Sequence, residues 1–493
     1  MDIHHDHVVH SRNGVLGDGV TSLIDAERIA EQAYRTTLAG GIVWHTHGGL
    51  VDRQTATAIA TRLSDTYESA GTYPIFSVWE SGFYETIRNN LQDVLQDKVF
   101  RELFKKVSEW VLKKGSSSIA TKGFGGSVAE RQLRSDLDDW FDGKSSINPF
   151  INESPPADTV PRDLGFDQIE LSSAIASELE MDDSFQATIA GLAITTNRVT
   201  LDKARSLGVE PVAVNCKIDK QALDDLLAEN PQSTRGGISW LSVATFIAKV
   251  VIAVLRRYQQ DKDHGAYTTI VEEVLRAAYL DRAGIFIWNQ MKRDASIDSF
   301  NNPGGAGEHI LQTWRKLADS GEIPPKITLV AHSTGAIFVN ALIARSAELL
   351  PHLTYDVIML APACTSFDFA TMYTAHSSKI NRFRIFGMSD ELERKDQLIP
   401  IIYPRSLLYF VCGVVESEVD IPLLGMQRHL SISLNDNAPY LTNIREILSD
   451  QGNAVWSVSE TNDGHRSGSV SHGDFDNDAT TLASVVHIIS SGF

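Results

Sequence analysis

Apolar and polar positions along the chain predict a parallel sheet built from two separate parts of the sequence. In the first part, the apolar runs GIVWHT at 41–46 and YPIFSVW at 73–79 flank a segment of helical spacing at 53–69. In the second part, the runs ITLVA, YDVIML, FRIFGM and NAVWSVS recur between helical segments from residue 326 onwards. Buried strands that alternate with helices are typical of a parallel α/β sheet, because each parallel connection needs a crossover.

The segment between these two parts has a different pattern. Residues 81–320 show mainly helical spacing, and prolines cluster in a linker at 148–163. We therefore predict an α/β fold with a doubly wound, mostly parallel sheet formed by residues 22–80 and 321–493. In this prediction a large, mainly helical insertion at 81–320 precedes the strand ITLVA, and the polar residues 1–21 form a flexible tail.

One helical segment of the insertion, at 240–255, is apolar around almost its whole circumference. A membrane-spanning helix needs about 18 or more apolar residues, and Lys249 interrupts this stretch. We therefore expect a helix buried inside the insertion, and a helix that contacts lipid or an acyl chain remains the alternative. The first residues of the chain contain no apolar segment that would predict a secretory signal.

The strongest chemical signal is the sequence KITLVAHSTG at 326–335, which leads into the helical segment AIFVNALIA. This is the pattern of a nucleophile elbow, in which a strand leads through a short turn into a helix. The turn carries Ser333 between two small residues, Ala331 and Gly335. The serine of such an elbow stands on a strained turn, so small neighbours are needed to let strand and helix approach. The helix N-terminus places N–H groups beside an oxyanion that develops at the serine. Ser333 is therefore the predicted nucleophile.

This part of the chain resembles the α/β-hydrolase superfamily, and the order of the other motifs agrees with that resemblance. His47, Gly48, Gly49 and Leu50 follow the strand GIVWHT and resemble the HGG loop of lipases and esterases. Glycines suit this loop because they let the backbone approach a substrate oxygen without a Cβ in the way. The resemblance implies an oxyanion hole formed by backbone N–H groups of Gly48, Gly49 and Thr334.

The resemblance also implies an acid after the strand FRIFGM and a base after the strand NAVWSVS. We assign the acid to Asp390, the first carboxylate after its strand, and Glu391 and Asp396 remain alternatives. We assign the base to His472, and His465 remains the alternative. In this catalytic triad the histidine takes and returns the proton of the attacking serine, and the carboxylate orients the imidazole.

The charge and the cysteine count narrow the range of partners and of cell compartments. Asp and Glu number 63 against 44 Lys and Arg, which gives a net charge of −19. So acidic a surface repels phosphate backbones, which argues against nucleic-acid binding as the main function. Three cysteines do not make a disulfide framework, so we expect a reducing, cytoplasmic location. No cofactor or metal site is expected, and Asp474, Asp476 and Asp478 are interpreted as N-capping residues of the helix that follows them.

These features favour a serine hydrolase, of the lipase or esterase kind, that cleaves a carboxylic ester of a small molecule or lipid through an acyl-enzyme. Cleavage of an amide or a thioester uses the same groups and remains open. A second hypothesis is a phospholipase whose apolar helix touches a membrane without spanning it. A third is a hydrolase-fold interaction subunit, in which the insertion binds a protein partner or another copy of the chain.

Overall fold

The structure is a computed structural model of the chain. It describes residues 6–17, 19–49, 53–79, 83–114, 130–142, 144–145, 167–228, 238–280, 282–400, 402–430 and 438–493. Leu50 of the HGGL segment, the proline linker at 148–163 and the boundary at residues 80 and 81 lie outside these ranges.

The central feature of the described residues is a sheet of seven strands, each parallel to its neighbours. In chain order the strands are β1 (Val8–Ser11), β2 (Gly41–Thr46), β3 (Thr72–Trp79), β4 (Ile327–His332), β5 (Tyr355–Leu360), β6 (Ile380–Met388) and β7 (Ala454–Ser457). Their spatial order is β1-β3-β2-β4-β5-β6-β7, so β4 lies in the middle of the sheet. The prediction of an α/β fold with a parallel sheet is therefore confirmed. A separate antiparallel pair is formed by β8 (Ser459–Glu460) and β9 (Arg466–Ser467).

Helices connect and cover these strands. In chain order they are α1 (Leu23–Tyr34), α2 (Arg53–Ser69), α3 (Phe83–Gln96), α4 (Lys98–Lys114), α5 (Glu130–Phe141), α6 (Gln168–Leu179), α7 (Asp183–Thr195), α8 (Leu201–Arg205), α9 (Lys220–Leu226), α10 (Trp240–Gln259), α11 (Ala266–Ala278), α12 (Ile285–Arg293), α13 (Ala306–Asp319), α14 (Gly335–Leu349), α15 (Ser366–His376), α16 (Asp390–Glu393), α17 (Leu407–Phe410), α18 (Gln427–Leu430), α19 (Pro439–Ser449) and α20 (Ala479–Ser491). Two π-helical turns, Asp294–Asp298 and Val411–Val415, continue α12 and α17. The helices α3 to α13 all fall within 81–320, in agreement with the helical pattern of that segment.

Side chains of each strand point alternately to the two faces of the sheet and join two separate hydrophobic clusters. In β4, Ile327, Leu329 and Ala331 belong to one cluster, whereas Val330 belongs to the other. The first cluster is completed mainly by α1, α13, α14 and α15, and the second by α2 and α20. Because both faces are covered, β2, β4 and β5 are buried along their whole length, which explains their nearly continuous apolar sequences.

A third hydrophobic cluster lies outside the sheet, in the helical part of the chain. Its members come from α3 to α12 and from residues 398–426, and α10 packs against α4 and α6. The apolar residues of α10 are mostly buried here, as expected for a helix inside the insertion. Within the described ranges, none of the helices combines the length and the apolar character that a membrane crossing requires. Most buried apolar residues of 398–426, a range that the sequence pattern assigns to the sheet part, pack with the helical part, while Leu424 joins the first cluster of the sheet.

The N-terminal segment differs from the predicted flexible tail over residues 1–21. Within it, Val8–Ser11 form β1, which pairs with β3 so that Val8 lies opposite Phe76 and Ser11 opposite Trp79. The N–H of Phe76 also donates to the carbonyl of His7, at 2.8 Å. Two adjacent valines are too short an apolar run to predict a strand, but pairing with β3 satisfies their backbone groups and buries their side chains.

Gly41 and Gly71 provide a matched test of how closely the strands are packed. Both have a φ of +72°, a conformation that costs an alanine roughly 1–2 kcal/mol. A Cβ at Gly41 would overlap the carbonyl oxygen of Lys326, whereas a Cβ at Gly71 would meet nothing within 4 Å. Gly41→Ala should therefore lower the free energy of unfolding by about 1–3 kcal/mol more than Gly71→Ala, measured by urea denaturation. Equal losses would contradict the close approach of β2 to the start of β4.

Candidate active site

Ser333 lies on the turn that joins β4 to α14, in the middle of the sheet. Its φ is +53°, a left-handed conformation that is rare for a residue with a Cβ and is expected at a strained strand-to-helix elbow. The N–H of Ser333 donates to the carbonyl of Leu360 at 2.9 Å, and the N–H of Ala363 donates to the carbonyl of Ser333 at 3.0 Å. The end of β5 and the loop after it therefore stabilise the strained turn.

The small residues around Ser333 are needed for close packing. Ala331 is fully buried in β4. A Cβ at Gly335 would lie 2.5 Å from the carbonyl oxygen of Thr46 and 2.6 Å from its Oγ1. Because α14 begins in contact with the end of β2, a side chain at this position would push the helix away from the sheet.

His472 is the histidine that meets Ser333. Its Nε2 lies 2.9 Å from Oγ of Ser333, which is hydrogen-bond distance. Burial, with the charge of His332 as the second cause, lowers the pKa of His472 to about 3, so the ring is neutral at physiological pH. A neutral ring at this distance can take the hydroxyl proton as a general base. His465, the alternative from the sequence, instead places its Nδ1 near the carbonyl of Asp463.

The carboxylate beside His472 is Asp396 and not Asp390. Oδ2 of Asp396 accepts the backbone N–H of His472 at 3.0 Å. The chain turns into α16 directly after β6, and Oδ1 of Asp390, at the start of this helix, accepts from the hydroxyl of Tyr409 at 2.6 Å. Asp396 lies after this helix and contacts His472 in the loop before α20, whereas Glu391 is exposed to solvent. Of the three candidate acids, Asp396 is therefore the one that contacts His472, and it does so through the backbone N–H and not through the ring.

The charge of Asp396 and the second ring nitrogen of His472 complete the local electrostatics. The pKa of Asp396 is raised, chiefly because the carboxyl group is buried. The hydrogen bond from the backbone N–H of His472 acts against this rise, whereas the negative charge of Asp474 increases it. Nδ1 of His472 is buried and has no hydrogen-bond partner among the described residues. An ionised Asp396 would stabilise the imidazolium that forms when His472 takes a proton.

The loop after β2 places Gly48 and Gly49 against the serine. A Cβ at Gly48 would lie 3.0 Å from Cβ of Ser333, and a Cβ at Gly49 would lie 2.8 Å from Oγ1 of Thr334. The absence of these side chains leaves the backbone of the loop next to the nucleophile. Thr334 precedes α14, whose first N–H groups have no acceptor within the helix. The three residues predicted for the oxyanion hole therefore lie together around Ser333.

His47 holds this glycine loop in position. Its Nε2 accepts a hydrogen bond from the backbone N–H of Trp79 at 3.0 Å. The proton of the neutral ring is therefore on Nδ1, which donates to the carbonyl of Gly48. The ring also stacks on the indole of Trp79, with 4.4 Å between the centroids. Burial lowers the pKa of His47 to about 4, which keeps the ring in its neutral form. His47 thus fixes the position of the glycine loop.

A second histidine and a second aspartate lie behind His472. Nε2 of His332, the last residue of β4, donates to the carbonyl of His472 at 3.0 Å, and the two rings stack with 5.5 Å between centroids. Nδ1 of His332 faces Oδ2 of Asp476 at 3.4 Å. Asp476 was a predicted capping residue, but the N-cap of α20 is Asp478, which accepts the N–H of Thr481. Only the fold brings the end of β4 to the loop before α20, so sequence spacing does not reveal this pair.

The site is enclosed by the helical part of the chain. Ser333 is only 1% exposed. Met291 of α12 lies next to the glycine loop, since a Cβ added at Gly49 would be only 2.7 Å from Sδ of Met291. Glu416 anchors this helix by accepting from Nε1 of Trp288 at 2.8 Å. Ser333 is therefore shielded from solvent, and α12 contributes to this cover through Met291.

Another group of side chains in the described ranges has donor atoms of the kinds that bind metal ions. His264, Cys412 and Asp420 are buried, and their donor atoms lie within 4.8 Å of one another. The carboxylate of this aspartate already accepts from Nε2 of His264 at 3.0 Å, from Nε2 of His429 at 2.8 Å and from Arg428 at 3.0 Å. The protein itself thus satisfies the carboxylate, and the group acts as a charge network that joins the start of α11 to residues 411–430.

Comparisons with known proteins give no relative for this chain. No family model matches it, and neither does any curated protein or solved structure. The chemistry of the site is therefore inferred from its own geometry.

Asp396→Asn and Asp390→Asn form a matched pair of variants for the acid. An amide at 396 keeps the shape but removes the charge beside His472, so the reaction of Ser333 with a fluorophosphonate should slow by about 10²- to 10⁴-fold. The same change at 390 alters a contact with Tyr409 and should leave the rate nearly unchanged. The rate constant of adduct formation, followed by intact mass, measures both. A larger loss in Asp390→Asn than in Asp396→Asn would restore the assignment made from the sequence.

Proposed function

We propose that the protein is a serine hydrolase that cleaves a carboxylic ester through an acyl-enzyme on Ser333. The observation that carries this proposal is the 2.9 Å contact between Oγ of Ser333 and Nε2 of the buried, neutral His472. The strained turn and the two glycines beside it support the proposal, because an oxyanion at this turn would meet backbone N–H groups. This arrangement resembles that of the α/β-hydrolase superfamily.

In the first half of the reaction, Oγ of Ser333 attacks the carbonyl carbon of the ester while Nε2 of His472 takes the hydroxyl proton. The carbonyl oxygen becomes an oxyanion, which the N–H groups of the glycine loop and of Thr334 stabilise. The bond to the alcohol oxygen then breaks, and His472 gives its proton to that oxygen. The alcohol leaves, the acyl group stays on Ser333, and Asp396 stabilises the imidazolium in between.

In the second half, a water molecule replaces the alcohol. His472 takes a proton from this water as its oxygen adds to the acyl carbon, and the same oxyanion forms again. The bond between the acyl carbon and Oγ of Ser333 breaks, and His472 returns the proton to Oγ. One ester and one water are converted into one alcohol and one carboxylic acid, and the enzyme is regenerated.

The surroundings of the site favour an uncharged substrate. The thioether of Met291 and the indole of Trp79 flank the glycine loop, and the nucleophile is shielded from solvent. Moving a charged group from water into such a site is costly without a partner, so we propose an ester whose acyl group carries no charge. The apolar residues of α10 are buried among other helices, so the membrane-acting phospholipase receives no support from that helix.

The test is hydrolysis of p-nitrophenyl esters of graded acyl length. The wild-type protein should hydrolyse at least part of the panel, and intact mass should detect one acyl group per chain during turnover. Ser333→Ala should lose both signals, with a rate at least about 10³-fold lower, because the nucleophile is absent.

Ser366→Ala is the matched control for this experiment. Ser366 is fully buried at the start of α15, after the neighbouring strand β5, and its Oγ has no hydrogen-bond partner within the described part of the chain. This variant should behave like the wild type, since no base lies at its hydroxyl. A folded wild-type protein that hydrolyses no ester and forms no fluorophosphonate adduct would contradict the proposal and favour the interaction subunit.

A further inference from the structure

We propose that His332 and Asp476 are positioning residues for the catalytic base. In this assignment Asp476 holds the ring of His332, and His332 holds the backbone of His472 so that Nε2 of His472 faces Ser333. The assignment rests on the proposed function, because it gives a role to two further residues of the same site.

Both ring nitrogens of His332 face hydrogen-bond acceptors. Nε2 lies 3.0 Å from the carbonyl oxygen of His472, which can only accept, so Nε2 carries a proton. Nδ1 lies 3.4 Å from Oδ2 of Asp476, which is the distance of an ion pair and favours a proton on Nδ1 as well. Burial lowers the pKa of His332, but the carboxylate of Asp476 more than offsets this effect and the net direction is upward. The ion-pair distance and the upward direction of the pKa shift both favour the imidazolium form of His332, paired with Asp476.

Asp476 is a buried carboxylate whose charge needs such a partner. It is 3% exposed, and burial alone would raise its pKa, but the charge of His332 reverses this and lowers the pKa to about 2. Arg62 of α2 donates to the backbone carbonyl of Asp476 at 2.9 Å and lies 3.5 Å from Oδ1. The carboxylate also interacts electrostatically with His45 of β2, but burial lowers the pKa of His45 to about 3, so that ring is neutral. His332 and Arg62 therefore supply the positive charge that offsets a costly burial.

The His332–Asp476 couple acts on His472 in two ways. Its hydrogen bond to the carbonyl of His472 and the bond from the N–H of His472 to Asp396 hold this residue from both sides of its backbone. The imidazolium also stacks on the ring of His472 and disfavours a second positive charge there, while the more distant charge of Asp476 acts in the opposite direction. The first effect sets the direction of the base, and the second keeps the base unprotonated.

The variants His332→Gln, His332→Ala and Asp476→Asn separate these effects. Glutamine keeps an N–H group that can reach the carbonyl of His472 but has no charge, whereas alanine removes both. The rate of fluorophosphonate inactivation should fall about 10²-fold in His332→Ala and about tenfold or less in His332→Gln, because a misplacement of about 1 Å costs up to about 10²-fold. Asp463→Asn is the matched control, because Asp463 is an exposed carboxylate that pairs with Arg466 in the segment between β7 and α20, and this variant should react like the wild type.

The pH dependence of inactivation distinguishes positioning from simple packing. The reaction needs neutral His472, so its rate falls as the pH drops through the pKa of this group. In the wild type the midpoint should lie below the ordinary value of 6.5. Loss of the imidazolium in His332→Gln should raise the midpoint. Asp476→Asn should raise it by a smaller amount, because that variant also removes the opposing negative charge.

A second measurement does not depend on catalysis. In protein labelled with ¹³C in the histidine rings, an NMR titration follows His472 and His332 directly, and His472→Gln and His332→Gln assign their signals. The positioning role would be overturned if His332→Ala and Asp476→Asn both kept the wild-type inactivation rate, the wild-type pH midpoint and the wild-type titration of His472. Equal losses in His332→Gln and His332→Ala without a shift of the midpoint would reduce His332 to a packing residue. A wild-type protein that does not react with the fluorophosphonate would refute the proposed function. The NMR titration would still test whether His332 and Asp476 affect the pKa of His472.

Discussion

The left-handed turn at Ser333 is the constraint on which the rest of the site depends. A residue with a Cβ at φ +53° persists only where its surroundings hold it, since such a conformation costs about 1–3 kcal/mol. The groups that hold it are the carbonyl of Leu360 and the N–H of Ala363, both from the neighbouring strand and its loop. On the other side of β4, β2 delivers the glycine loop to the same point. The middle position of β4 in the sheet therefore sets the serine, the loop and the start of α14 together.

A second constraint is that the site is both polar and buried. Burial lowers the pKa of His47 and of His472 and keeps both rings neutral, whereas the carboxylate of Asp476 raises the pKa of His332 in spite of burial. Electrostatic interactions are stronger where water is excluded, so N–H groups at the turn would stabilise an oxyanion more than they would in solvent. The cover formed by Met291 and its helix therefore restricts access to Ser333, and it would also strengthen the electrostatic interactions of the proposed reaction.

The proximity of Ser333, the glycine loop and His472 can be predicted from the sequence, because each of the three follows a local pattern. Small residues flank Ser333, two glycines follow a buried strand, and a histidine lies in the last loop. The carboxylate that contacts His472 cannot be predicted in this way, because the turn into α16 places Asp390 against Tyr409 and Asp396 against the backbone of His472. The same limit applies to the couple behind the base, which joins two distant segments, and to β1, whose two valines become a strand only through pairing with β3.

The most direct measurement is a crystal structure of the protein after reaction with a small fluorophosphonate. We predict a covalent bond from phosphorus to Oγ of Ser333, with the phosphonyl oxygen within about 3 Å of the N–H of Thr334 and of an N–H of the glycine loop. Nε2 of His472 should remain next to Oγ, with Asp396 on the backbone of His472. Phosphorus bonded to a different residue, or a phosphonyl oxygen directed away from the glycine loop, would contradict the assignment of this site.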